Sequence, residues 1–271
     1  MISQRFLNHL KQQHWTGVFI ELVIVVLGVF LGLQAQDWNQ ARQDRIRELS
    51  YLTRIAAELD TSISSIKHAI DTEKQRQAYG ELLIRSVKDV DLVKANPGRF
   101  IAALMQAGWT YSPAIGDATF QEMKSAGDLG LVGNAGLRSE IVSFYSFVNE
   151  GEQWNYSRQL DQTEYTKRGA GILTLGERQA VMNAFENSVD NAGVPKVSVD
   201  EALEARKRML ARPAFIDWLP QSTDREDRTM TDSIELHRAE RLRQHICASP
   251  GVSCADPDAA GSGSAPAPKK K

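Results

Sequence analysis

The chain has 271 residues, 42% hydrophobic and 24% charged, which predicts one or two domains with ordinary cores. Lys+Arg total 32 against 34 Asp+Glu, and no basic block precedes Lys269, Lys270 and Lys271. So even a mixture lacks the electrostatic footprint of nucleic-acid binding, and no nucleic acid is expected as a partner.

Residues 1–15 read as a short N-terminal tail, too short to hold an output domain. Residues 17–33 then read GVFIELVIVVLGVFLGL, with Glu21 the one charged member. Taken as 16–36, the segment makes roughly 30 Å of helix, the thickness of a hydrocarbon core. Trp15 and Trp38 bracket it as an aromatic belt would. A transmembrane helix is predicted, with the lipid bilayer as partner. A buried core helix fits less well, because residues 22–33 are uninterruptedly apolar so near the terminus. A cleaved signal peptide is the sharper rival. The apolar run is longer than a signal usually has, and Leu33-Gln34-Ala35 fits small-x-small cleavage poorly, so an uncleaved single-pass anchor is expected.

Within the span, Gly17, Glu21, Val25, Gly28, Gly32 and Ala35 share one helical stripe. Gly28 and Gly32 form a GxxxG pair that lets two backbones approach closely in lipid, so this stripe is a candidate packing face for a homodimer or another membrane protein. Glycine is also simply common in membrane helices, and Glu21 lies shallow enough to snorkel to the interface.

Arg5 and Lys11 before the span are outnumbered by Arg42, Arg45, Arg47 and Arg54 after it, which taken alone favours a cytoplasmic domain. Long domains, however, translocate largely regardless of charge. The cysteines point the same way: Cys247 and Cys254 flank the turn-forming Ser249-Pro250-Gly251, a spacing that suits a disulfide in an oxidising compartment. Two free thiols remain an alternative, and a metal site with His245 lacks a fourth ligand nearby. A bacterial inner-membrane protein with a periplasmic domain is the expected arrangement.

Residues 37–78 contain neither Gly nor Pro and predict a long juxtamembrane helix continuous with the span. Leu49, Leu52, Ala56, Leu59, Ile63, Ile66 and Ile70 alternate spacings of three and four, a heptad seam. The seam either pairs with a second copy as a parallel coiled coil or packs on later helices of the same chain, and the latter is favoured because the rest of the chain supplies amphipathic helices. Residues 79–247 predict a helical bundle. Asn96 should cap a helix opening at Pro97, Asp117 a short helix stopped by Gly127, and Asn134 a helix carrying Leu137, Ile141, Phe144 and Val148 that continues to Tyr165. A helix over 175–187 and a turn at 191–193 follow, then a capping box of Ser198 with Glu201 and a last helix over 224–246. Residues 248–271 predict a disordered Ala/Gly/Ser/Pro-rich tail. The class is all-α.

No HExxH, CxxC, P-loop, G-x-S-x-G or G-x-G-x-x-G occurs, so no catalytic residue, metal or cofactor is expected. His9, His14, His68, His237 and His245 read as solvated residues without a paired nucleophile. The glycine-rich stretch at 129–136 lacks the preceding strand and following Lys of a phosphate loop and reads as a helix-to-helix turn. Phe144, Tyr145, Phe147, Trp154 and Tyr156 supply core at helical phase; any left exposed would mark a partner or ligand surface.

Gly28-Val29-Phe30-Leu31-Gly32-Leu33-Gln34, Trp38-Asn39, Arg42, Arg45, Glu48, Tyr51-Leu52, Arg54 and Glu58-Leu59 resemble the opening of a widespread family of uncharacterised bacterial N-terminally anchored single-pass membrane proteins. Thr119-Phe120, Glu122-Met123, Ser125, Gly127 and Leu129, then Leu137-Arg138 and Tyr145, are similar to its mid-chain motif. Gln40 stands where the family usually has an acidic residue. The resemblance covers roughly residues 15–150. It implies an inner-membrane location and an exported domain, and no activity.

Three functions compete. A membrane-anchored interaction or scaffold protein needs only the features above. An accessory or sensory subunit would bind a ligand and signal through the continuous helix to a partner protein. An enzyme would need a site built from dispersed carboxylates such as Glu122, Glu140 and Glu150, and is not expected.

Overall fold

A computed structural model describes residues 15–187, 193–224 and 226–254. Among them there are helices and no strand, so the fold is all-α. The chain divides into two compact units, Met1–Tyr51 and Leu52–Lys271.

Helix α1 (Trp15–Ser86) begins in the first unit. Its apolar residues from Phe19 to Leu33 are all exposed, Leu31 at 64%, whereas a core helix would bury such a run. Among the described residues α1 is the one helix long and apolar enough to cross a membrane, and none of its apolar window is buried. Arg47–Asp44 and Arg45–Glu48 pairs, each 2.6 Å, lie one turn apart along the polar stretch that follows.

In the second unit, α1 supplies a buried face. Leu52, Ala56, Leu59, Ile63, Ile66 and Ile70 are all buried within the single chain, while Leu49, in the first unit, is half-buried. From Leu52 onward the heptad seam is therefore covered by the chain's own elements. Arg54–Glu122, Lys67–Glu240 and Arg243–Asp60 ion pairs flank it.

The helix does not stop at 78 as expected but runs through Gly80 to Ser86. Gly80 marks a close approach, not an end. A Cβ there would collide with Thr223, 2.7 Å from its Cγ2 and 2.9 Å from its Cβ. The helix ends where Arg206 takes the carbonyls of Ser86 and Val87, at 2.8 and 2.9 Å.

Helices α2 (Asp91–Ala95), α3 (Pro97–Gln106), α4 (Ala118–Ala126), a 3₁₀ turn (Asp128–Leu131), α5 (Ala135–Arg168) and α6 (Leu175–Asn187) follow. The remainder is α7 (Val199–Leu210), α8 (Pro213–Ile216), α9 (Leu219–Thr223) and α10 (Glu226–Cys247). Helix α3 packs on α6 and α7, and α5 on α10. Phe100, Ile101 and Phe215, each 1% exposed or less, centre one apolar core.

The short helices α2, α8 and α9 escaped the sequence because each is too brief to show a period. Two expected caps are absent. Asn96 makes no side-chain cap bond, and neither does Asp117. At α4 the reason is plain: Glu58 on α1 takes Thr119 N at 3.1 Å and Thr119 Oγ1 at 2.6 Å, so the cap comes from another helix. Asn134 does cap α5, accepting from Leu137 N at 3.1 Å, and Ser198 with Glu201 forms the full capping box. Gly127 ends α4 in the left-handed region at φ 76°. Residues 191 and 192 of the expected turn, and 255–271 of the expected tail, lie outside the described residues.

Candidate functional site

A cavity of about 460 Å³ opens between the loop after α3, helix α5 and helix α10. The loop contributes Pro113 and Ile115, and α1 holds it in place: Ser65 Oγ accepts from Ala114 N at 2.8 Å and Ser62 Oγ from Gly116 N at 3.0 Å. Helix α5 contributes the apolar Phe147 and Val148, the polar Glu150, Asn155 and Arg158, and Gly151. Helix α10 closes the site with Met230, Thr231, Asp232, Ile234 and Glu235. The size falls within the range of small-molecule sites, which are mostly apolar with a few placed polar groups.

The polar groups form a buried ion pair and two loose carboxyls. Arg158 and Asp232, 5% and 2% exposed in their side chains, meet at 2.5 Å. Arg158 Nη1 also donates to the Tyr111 carbonyl at 3.1 Å. The other Asp232 oxygen, Oδ2, is buried and accepts no hydrogen bond among the described residues. Burial raises the Asp232 pKa, and Arg158 only partly pulls it back. One turn on, burial and then the charge of Asp232 push Glu235 up to about 7. Carboxyls so desolvated, facing an apolar cavity, are the kind of perturbed groups that cluster at functional sites, although structural ion pairs perturb pKa values too.

The residues singled out from the sequence are dispersed. Glu122 pairs with Arg54 at 2.5 Å, and Glu140 bonds His245 at 2.6 Å and Arg241 at 3.2 Å; of the three carboxylates only Glu150 reaches the cavity. His68 packs edge-on against Tyr111, with ring centroids 4.9 Å apart, and His237 is exposed. His9 and His14 lie outside the described residues. No group of three metal-ligating side chains occurs among the described residues. Glu21, Gly28 and Gly32 are exposed, and a Cβ on Gly28 or Gly32 would meet nothing within 4 Å; the surroundings of Gly17 lie outside the described residues. Cys247 and Cys254 form a disulfide with Cα atoms 5.8 Å apart. The glycine-rich stretch becomes the 3₁₀ turn and the α5 cap.

Several residues from the 28–59 and 119–145 stretches come together as a structural knot. Arg54 meets Glu122, Glu58 caps at Thr119, and Phe120 stacks on Tyr145 at 4.4 Å. Phe144 and Tyr145 are core, Phe147 lines the cavity, Tyr156 is 66% exposed, and the Trp154 side chain lies outside the described residues.

Sequence reasoning missed Arg158, Asp232 and Glu235, and a signal was present. Ala239, Leu242 and Ile246 form the buried stripe of α10, and stepping back by four and then three residues reaches Glu235 and Asp232. The α5 stripe Leu137, Ile141, Phe144 and Val148 likewise continues through Gly151, Asn155 and Arg158 to Tyr165. Polar residues on a core stripe need buried partners or a cavity; Arg158 and Asp232 have both, and Glu235 lines the cavity.

Comparison with protein-family models, with curated proteins and with solved structures gives no match.

Proposed function

We propose that this protein is a membrane-anchored accessory or sensory subunit whose helical domain binds a small ligand. The observation that carries this reading is the apolar cavity with the Arg158–Asp232 pair in its wall. A purely scaffolding domain needs no cavity with converging polar groups. The exposed apolar run of α1 supports an anchor, the joined cysteines support an oxidising compartment, and the family resemblance supports the bacterial inner membrane with the domain in the periplasm.

Ligand-observed NMR on the full chain in nonionic detergent micelles, with a set of small aryl and alkyl fragments, tests the cavity. Gly151 is the control position, because a Cβ there meets nothing within 4 Å and the residue lines the cavity. Saturable binding that Gly151→Leu removes is the expected result; no fragment sensitive to that change would refute the ligand-binding reading. An alkaline phosphatase fusion after Asp60 should be active, and an inactive fusion would place the domain in the cytoplasm.

Self-association is a second reading, supported by the open space beside Gly28 and Gly32. Cysteines introduced at these positions should cross-link two copies in native membranes. Monomer alone would remove the packing face.

A further inference from the structure

Among its described lining residues the cavity carries three carboxyls and one cation, Arg158, while the Arg238 guanidinium lies over the Phe147 ring, 4.1 Å from its centroid. Glu150 stands exposed on α5, while Asp232 and Glu235 are drawn in from α10. Against these three carboxyls stands Arg158, whose Nη2 is given to Asp232 Oδ1 and whose Nη1 is given to the Tyr111 carbonyl. These bonds use two of the five guanidinium N–H donors, so an anionic ligand need not displace them, but it would meet Asp232 and Glu235 as like charges.

A cation meets the opposite situation. Asp232 is 1% exposed, yet its Oδ2 has no hydrogen-bond partner. Such an orphan acceptor costs the desolvation of the group unless something donates to it. Glu235, half-buried and also lining the cavity, makes no hydrogen bond or ion pair among the described residues. Apart from Asn155 and Thr231, the rest of the wall is largely apolar, with Ile115, Phe147, Val148, Met230 and Ile234. Charge deficit and apolar wall together describe the complement of an amphipathic monocation.

We propose that the cavity binds a small primary ammonium ion with an apolar body, its head shared by Asp232 and Glu235 and its body against Phe147, Ile115 and Met230. Three N–H donors on the head match the carboxylate oxygens that have no partner among the described residues. The proposal rests on the reading of the cavity as a ligand site, and the test separates the two.

The test is a titration of the full chain in nonionic micelles with phenethylamine, 2-phenylethanol and 3-phenylpropanoate, which share a body and differ in charge. Phenethylammonium should bind at least about tenfold more tightly than either analogue. Glu235→Gln should weaken the amine by about tenfold and leave the alcohol unchanged. Asp232 itself is a poor first variant, because removing it strands Arg158. An amine no tighter than the alcohol, or indifferent to Glu235→Gln, overturns the proposal. If the alcohol or the propanoate still binds and Gly151→Leu abolishes it, the cavity remains a ligand site and only the charge preference falls. If none of the three binds, both readings fall. Nα-acetyl-lysine amide in the same titration distinguishes a free amine from a protein side chain: tighter binding of the blocked lysine overturns the small-molecule form and assigns the site to a partner's lysine.

Discussion

Glu235 makes the stability of the protein depend on pH in a direction opposite to that of most carboxylates. Burial, then the neighbouring Asp232, raise its carboxyl from 4.5 to about 7, with Arg158 opposing. The unfolded chain therefore holds fewer protons than the folded one between these values, so stability falls as pH rises through that window. Below about pH 4.5 the group is protonated in both states and contributes no penalty. Each pH unit of the window is worth about 1.4 kcal/mol, so the ionised carboxyl costs the fold up to about 3 kcal/mol above pH 7.

Glu235→Gln removes the ionisation and keeps the shape. The groups facing it, Glu150 and Arg158 from α5 and Asp232 from α10, stay in place, as does Glu73 of α1, whose charge acts on Asp232. Their own titrations largely cancel between variant and parent. Urea unfolding followed by circular dichroism should find the two equally stable near about pH 4, and the variant ahead by about 3 kcal/mol near about pH 8. A difference flat across this range, or a variant weaker at the upper end, would refute the reasoning. The same desolvation links stability to the proposed ligand: an ammonium seated beside Glu235 favours the carboxylate, so binding between about pH 5 and 7 should release a proton.

Arg158→Met should cost about 3–5 kcal/mol by urea unfolding, because Asp232 would be left charged and buried without its partner; adding Asp232→Leu should recover most of the loss. Gly80→Ala should lower stability by about 1–3 kcal/mol, since the new methyl runs into Thr223, and the loss should shrink measurably in a Thr223→Ala background, where the removed hydroxyl had no hydrogen-bond partner. Replacing Cys247 and Cys254 together by Ser should cost about 2–3 kcal/mol of thermal stability; dithiothreitol should do the same to the parent and nothing to the variant.

The apolar face of α1 was legible because its signal is long: a period sustained from Leu49 to Ile70 outweighs any single exception. Capping was legible where it is local, at Asn134 and at Ser198 with Glu201, and not where it is tertiary, since no local pattern says that Glu58 will take the α4 amide of Thr119. Gly80 misled for a related reason. A glycine reads as a stop when only its propensity is counted, but packing decided the matter, and the helix keeps it so that α9 can come close at Thr223. The cavity was half legible. Asp232, Glu235 and Arg158 each break an otherwise apolar stripe, but periodicity cannot say whether such a break faces a partner helix, a cavity or both.

The wall of the cavity is also tied to α1, the helix that carries the apolar run. Arg158 donates to the carbonyl of Tyr111, and the amide of the same residue donates to Glu73 Oε1 at 3.4 Å, while the Tyr111 ring packs on His68. Glu73 and His68 both belong to α1. A ligand that drew Asp232 toward itself would loosen the hold of Asp232 on Arg158, and the guanidinium would lean harder on Tyr111. The loop carrying Pro113 and Ile115 is fixed to the same helix by Ser62 and Ser65, so on the proposed ligand-binding reading an occupied cavity would act on α1 from two sides. Such an effect is bounded by the difference in ligand affinity between the two arrangements of Arg158, and coupling between sites is typically about 1–3 kcal/mol. That is enough to bias a contact made by α1, and it requires a partner whose binding reads α1 rather than the cavity.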